Sequence, residues 1–91
     1  MTKIRIRVTE KDIREGDRFK TNSCPIARAM KRKLRYASVD CFGYRLWNNG
    51  RIHRFPKSNI GSWITSFDIG RQVLPFSFTI EVPDNMLRTP S

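Results

Sequence analysis

Residues 44–55 read YRLWNNGRIHRF, and the register in which this segment folds on itself decides which side chains of the chain meet on one surface. Asn48, Asn49 and Gly50 tolerate the positive φ that tight hairpin turns require, so the stretch predicts two antiparallel strands. A two-residue turn at Asn49 and Gly50 sets Trp47 across from Ile52 and Leu46 across from His53. A three-residue turn, with Gly50 in the left-handed position, pairs Leu46 with Ile52 and Trp47 with Arg51. The second arrangement gathers Tyr44, Leu46 and Ile52 on an inner face and leaves Arg45, Trp47, Arg51 and His53 outside. A slip of one residue turns every side chain to the opposite face. Only the three-residue turn collects the aliphatic residues, so it is the expected one.

Upstream of the hairpin, Val39 and Cys41 mark a strand and Gly43 lets it bend. Ahead of that lies the clearest helix. Ser23 or Cys24 caps it, Pro25 falls in the first turn where a missing N–H costs nothing, and the pattern runs to about Arg35. Ile26, Ala27, Met30 and Leu34 share one side of this helix, and Arg28, Lys31, Arg32 and Arg35 the other. At the N-terminus Ile4, Ile6 and Val8 alternate with Lys3, Arg5 and Arg7, the period of a strand with one buried face. Thr9 stands three residues before Asp12, a capping arrangement that predicts a short helix over Glu10 to Glu15, ended by Gly16. Asp17 to Ser23 reads as a polar loop.

Downstream, Pro56 ends the hairpin. A third helix runs from Lys57 or Ser58 to Ile69, with Ile60, Trp63, Ile64 and Phe67 on one side and Gly70 as its stop; this places Trp63 in the core. After Pro75, FSFTIEV points Phe76, Phe78, Ile80 and Val82 inward and Ser77, Thr79 and Glu81 outward as the last strand. The 91 residues, 38% of them hydrophobic, fit one small domain. Residues 1–82 are expected to form it, with 83–91 as a flexible tail. The fold class is α+β: three to five mostly antiparallel strands with two or three helices on one face. Arg5, Arg7, Arg45, Trp47, Arg51 and His53 are placed on the other, solvent-facing side.

The formal net charge is +10, and a domain this basic attracts polyanions, nucleic acid first among them. The charge is clustered. Between Arg28 and Lys57 nine basic residues face a single acidic one, Asp40. The helix cations repel one another at i, i+3 and i+4, and this points to selection for a phosphate-binding stripe against the plainer reading of a solvated helix face. The residues expected to touch nucleic acid or a partner are therefore Arg28, Lys31, Arg32, Arg35, Arg45, Trp47, Arg51, His53 and Arg54.

Catalysis requires acid, base or nucleophile groups held together in a site. His53 is the only histidine and sits among arginines on a hairpin, the setting of a surface contact. Cys24 at a helix start is a packed cap with no base beside it. The five glycines fall at turns, element ends or a helix contact and form no phosphate-cradling loop. Asp12, Glu15, Asp17 and Asp40 are too scattered for a two-metal centre. Two cysteines without histidines at ligand spacing cannot assemble a four-ligand zinc site. The expectation is a non-enzymatic protein without a cofactor or metal. No segment reads as membrane-spanning and MTKIRIRV has no apolar run of secretory type, so the cytoplasm is the expected location, with both thiols reduced.

Three segments, RVTEKDIREG, CPIARAMKRKL and FDIGRQVLPFSFTIEV, together resemble short bacteriophage and prophage proteins of uncharacterised function. These join an opening strand and turn to a Cys-Pro-initiated helix and close on an Asp, Gly and Pro-Phe strand. The resemblance implies a phage or mobile-element accessory protein acting inside a bacterium, and it makes Cys24, Pro25 and Asp68 fold elements. Two partners fit: DNA or RNA, bound through phosphates with Trp47 as a stacking surface, or an acidic patch on a host polymerase or defence nuclease, since Trp and Arg also dominate protein interfaces.

Overall fold

In the first strand, β1 (Thr2–Val8), even-numbered residues turn inward and odd-numbered ones outward, as the alternation predicts. β1 pairs antiparallel with β5 (Phe76–Val82), Ile6 opposite Phe78 and Ile4 opposite Ile80. Ile6, Val8, Phe78, Ile80 and Val82 thereby share one buried face. The computed structural model describes residues 1–48 and 50–88; Asn49, at the centre of the expected turn, and Thr89 to Ser91 lie outside them. The elements between the two strands are α1 (Glu10–Glu15), α2 (Pro25–Lys31), β2 (Ser38–Asp40), β3 (Gly43–Arg45), β4 (His53–Arg54) and α3 (Ile60–Asp68). The result is an α+β domain with five antiparallel strands. They form two sheets, β1–β5 and β2–β3–β4.

Local signals set the helix ends. The Thr9 hydroxyl accepts from the Asp12 N–H and the Asp12 carboxylate accepts from the Thr9 N–H, a full capping box. Cys24 caps α2, its sulfur accepting from the Ala27 N–H at 3.4 Å, and Pro25 holds the first helical position. α3 ends in a Schellman motif: Arg71 N–H to Ser66 C=O, Gly70 N–H to Phe67 C=O, and Gly70 at φ 86°. Trp63 is half-buried against Phe67 and Phe76, and its indole N–H donates to the Leu74 carbonyl at 2.9 Å.

α2 stops at Lys31, short of the expected Arg35. The reason lies in the C-terminal segment. Pro83 to Arg88, expected as a tail, make a 3₁₀ turn (Asp84–Met86) and fold back on the chain after α2. Leu34 bridges to Leu87, Arg35 N–H donates to Met86 C=O at 2.8 Å, and Arg88 N–H donates to Lys33 C=O at 2.9 Å. The Lys33 and Leu34 N–H groups still donate to the Met30 carbonyl, but that of Arg35 turns to the C-terminal segment, and Met86 is buried in the core.

The hairpin register differs from the expected one by a single residue. Tyr44 pairs with His53 and Gly43 with Arg54. His53 consequently turns inward and stacks on Tyr44, with ring centroids 5.4 Å apart, while Ile52 is exposed. Alternation puts Arg45, Ile52 and Arg54 on the outer face. An aromatic ladder outweighs the burial of Ile52: Tyr44 packs on Phe55 at 5.5 Å, and Phe55 meets Phe78 of β5 edge-on at 5.7 Å. Gly43 makes the register fit, because a Cβ at this position falls 2.1 Å from the His53 carbonyl oxygen. Gly43→Ala is expected to lower the unfolding free energy by about 2 kcal/mol or more, measured by urea denaturation; wild-type stability in that variant would contradict this register.

Candidate nucleic-acid interface

The nine residues expected to form one binding surface separate into two groups. Those on and after α2 are engaged by the protein itself, two of them, Arg28 and Arg32, by Asp12, the one buried charged residue among those described, 1% exposed. Arg32 forks onto its carboxylate through both terminal nitrogens, Nη2 lying 2.8 Å from Oδ2. The Arg28 Nε lies 3.7 Å from Oδ1, and its Nη2 is 3.3 Å from Glu15. Arg32 also donates to the Arg7 carbonyl and Lys33 to the Arg5 carbonyl, both at 2.7 Å, along the edge of β1 not paired with β5. Lys31 donates to the Asn22 carbonyl and Arg35 to the Leu87 carbonyl. The stripe that looked structurally idle in the sequence ties α1, α2, β1 and the C-terminal segment together.

Burial alone would raise the Asp12 pKa. The hydrogen bonds from Arg32 and Thr9 and the Arg32 charge outweigh it and hold the carboxyl below its ordinary range. The Cys24 thiol is pushed up by burial, as befits a packed cap.

The second group sits at the hairpin. Trp47 is 41% exposed. The Gly50 N–H donates to the Trp47 carbonyl at 3.0 Å and the Arg45 Nε to the Gly50 carbonyl at 3.0 Å, so the backbone turn gathers Arg45, Trp47 and Arg51 at one tip. A cleft of 480 Å³ lined by Thr21, Tyr36, Ser38, Arg45, Asn48 and Gly50 opens beside it. Arg51 and Arg54 are exposed, and their side chains have no hydrogen-bond or ion-pair partner among the described residues. His53 leaves the set, its ring being stacked inward on Tyr44. Arg5 and Arg7 belong to the other sheet and do not share the hairpin's face; the Arg5 guanidinium bonds Ser77 Oγ at 3.0 Å.

Sequence reasoning passed over Phe19 and Phe42, both largely in solvent. The signal was present: each aromatic ring stands in a stretch otherwise read as loop or bend. Among the described residues no three His, Cys, Asp or Glu side chains gather as a metal site, and no helix is long and apolar enough to cross a membrane.

A carboxylate with a depressed pKa stabilises the fold above the unfolded-state value of about 3.9, and that contribution is lost as pH falls through the lowered folded-state value. Asp12→Asn is therefore expected to cost about 2–3 kcal/mol at neutral pH and to flatten the acid limb of stability against pH, both read by denaturant titration from pH 2 to 7. An unchanged acid limb would show that Asp12 is not the titrating anchor. No protein-family model, no curated protein and no solved structure matches the chain.

Proposed function

We propose that this chain is a non-enzymatic nucleic-acid-binding accessory protein of a phage or mobile element, working in the cytoplasm of a bacterial host. The observation that carries this reading is the hairpin tip, where the half-exposed Trp47 and the exposed Arg51 flank a turn whose Arg45, Asn48 and Gly50 line a polar cleft. Indole is a surface on which an unpaired base stacks whatever its identity, and neighbouring guanidinium groups neutralise the phosphates of the same strand. The net charge of +10 supports the class of partner and the rapid, salt-sensitive encounter that goes with it. The phage setting is supported by the resemblance of the opening, α2 and closing segments.

The revised geometry narrows the site. Arg45, Trp47, Arg51 and Arg54 hold the strand. Arg28 and Arg32 belong to the scaffold and contribute through the general field. Single-stranded nucleic acid suits this arrangement better than a duplex, since α2 presents no free row of side chains to a groove and carries no Asn or Gln for reading bases.

Labelled single- and double-stranded oligonucleotides titrated at two salt concentrations test the reading. Binding is expected to favour the single strand and to fall steeply with salt. Trp47→Ala is expected to weaken it by about 1–3 kcal/mol without changing the melting temperature, and Arg51→Ala or Arg54→Ala to reduce the salt slope by about one. Absence of binding to either form at low salt would overturn the proposal.

A further inference from the structure

One flank of α3, formed by Gly61, Thr65, Asp68 and Ile69, borders two adjoining depressions that the hairpin tip does not use. The first, of 320 Å³, is lined by Phe19, Val39, Cys24, Ile64 and Ile69 among others; the second, of 360 Å³, by Phe42, Ile52, Phe55, Arg54 and Lys57 among others. Cys41 lines both, so the two depressions meet at that residue, where its carbonyl packs against Gly61 of the helix. Phe19 is 73% and Phe42 76% exposed, with Ile69 and Ile52 also in solvent. Single exposed apolar residues are ordinary on a monomer, but four around two adjoining depressions mark a contact surface.

The backbone adds a second observation. Phe19 has φ 58°, the only non-glycine residue with positive φ among those described. A side chain with a Cβ reaches that conformation at a cost that glycine escapes. The loop does not relax out of it. Phe19 N–H donates to Asp68 Oδ1 at 3.0 Å, Asp17 N–H to Ser23 C=O at 2.9 Å, and Val39 N–H to Thr21 C=O at 2.7 Å. The chain thus holds an aromatic ring out in water at a position where glycine would make the turn more cheaply.

Charge identifies the occupant. Lys20 lines the Phe19 end, Arg54 and Lys57 line the Phe42 end, and the Arg18 guanidinium lies beside Gly70 at the end of α3. The two acids at the depressions already serve the backbone: Asp40 Oδ1 accepts from the Phe42 and Gly43 N–H groups, and Asp68 Oδ1 from that of Phe19. A second copy of a chain with net charge +10 is repelled from such a rim. We propose that the two depressions along α3 together dock a short amphipathic segment of another protein. Its apolar side chains lie against Phe19, Ile69, Phe42 and Ile52, and the acidic residues flanking them face Lys20, Arg54 and Lys57, the mode in which an amphipathic helix lies in an apolar groove. This inference does not depend on nucleic-acid binding at the hairpin tip.

A displayed random dodecapeptide library panned on the full-length protein tests it. The expected selection pairs bulky apolar residues at i, i+3 or i+4 with flanking Asp or Glu. A synthetic peptide of the selected consensus is expected to lose about tenfold or more in affinity to Phe19→Ala and to Phe42→Ala, and nothing to Trp47→Ala. Phe19→Gly is expected to keep or raise the melting temperature while weakening the peptide, which separates docking from folding. Four results would overturn the proposal: a selection with no such pattern, a consensus peptide indifferent to both phenylalanine variants, dimerisation of the chain that Phe42→Ala abolishes, or loss of oligonucleotide rather than peptide affinity in those variants.

Discussion

The carboxylate of Asp12 lies inside the protein, and a buried charge without a partner would cost more than this small domain can bear. The need to pair it organises much of the structure. Arg32 and Arg28 converge on it from α2, Thr9 caps α1 through it, and the same Arg32 reaches the open edge of β1. One side chain therefore fixes how the first strand, the first helix and the second helix meet. The cations on and after α2 are bonded to Asp12 or to backbone carbonyls, whereas the side chains of Arg51 and Arg54 at the hairpin have no partner among the described residues.

The features legible in the sequence were those that adjacent residues decide. Alternation in residues 4–8 and 76–82 gave both long strands, Thr9 and Asp12 announced α1, Cys24 and Pro25 started α2, and Gly70 stopped α3. What escaped was set by residues far apart along the chain. Nothing near Arg32 reveals that its partner lies 20 positions earlier. Nothing near Met86 reveals that it enters the core and that its neighbours end α2 by pairing with Leu34 and Arg35. Those contacts join parts of the chain that no local pattern connects.

The hairpin is the instructive case, because its competing registers have similar local merit. One buries Ile52 with Leu46; the other gives up Ile52 and gains the stack of Tyr44, His53 and Phe55. Contact with Phe78 on the other sheet decides between them. The exposure of Trp47 was foreseen, while His53 turned inward and Ile52 outward. The candidate site survives this exchange in part, as Arg45, Trp47, Arg51 and Arg54 remain at the surface of one hairpin. Arg54 also lines the depression beside Phe42, so the two proposed surfaces, one for a nucleic-acid strand and one for a partner segment, adjoin there. A protein that holds a nucleic-acid strand at its tip and a partner along its flank would bring the two together.

The division of cations is best tested by the two indole N–H groups. In ¹H–¹⁵N spectra of the labelled protein titrated with a single-stranded oligonucleotide, the Trp47 indole signal and the backbone amides of Arg45, Arg51 and Arg54 are predicted to shift together. The Trp63 indole, bonded to the Leu74 carbonyl, is predicted to stay in place. Shifts that centre instead on Lys11, Arg28, Lys31 and Arg32, leaving Trp47 unmoved, would contradict the account.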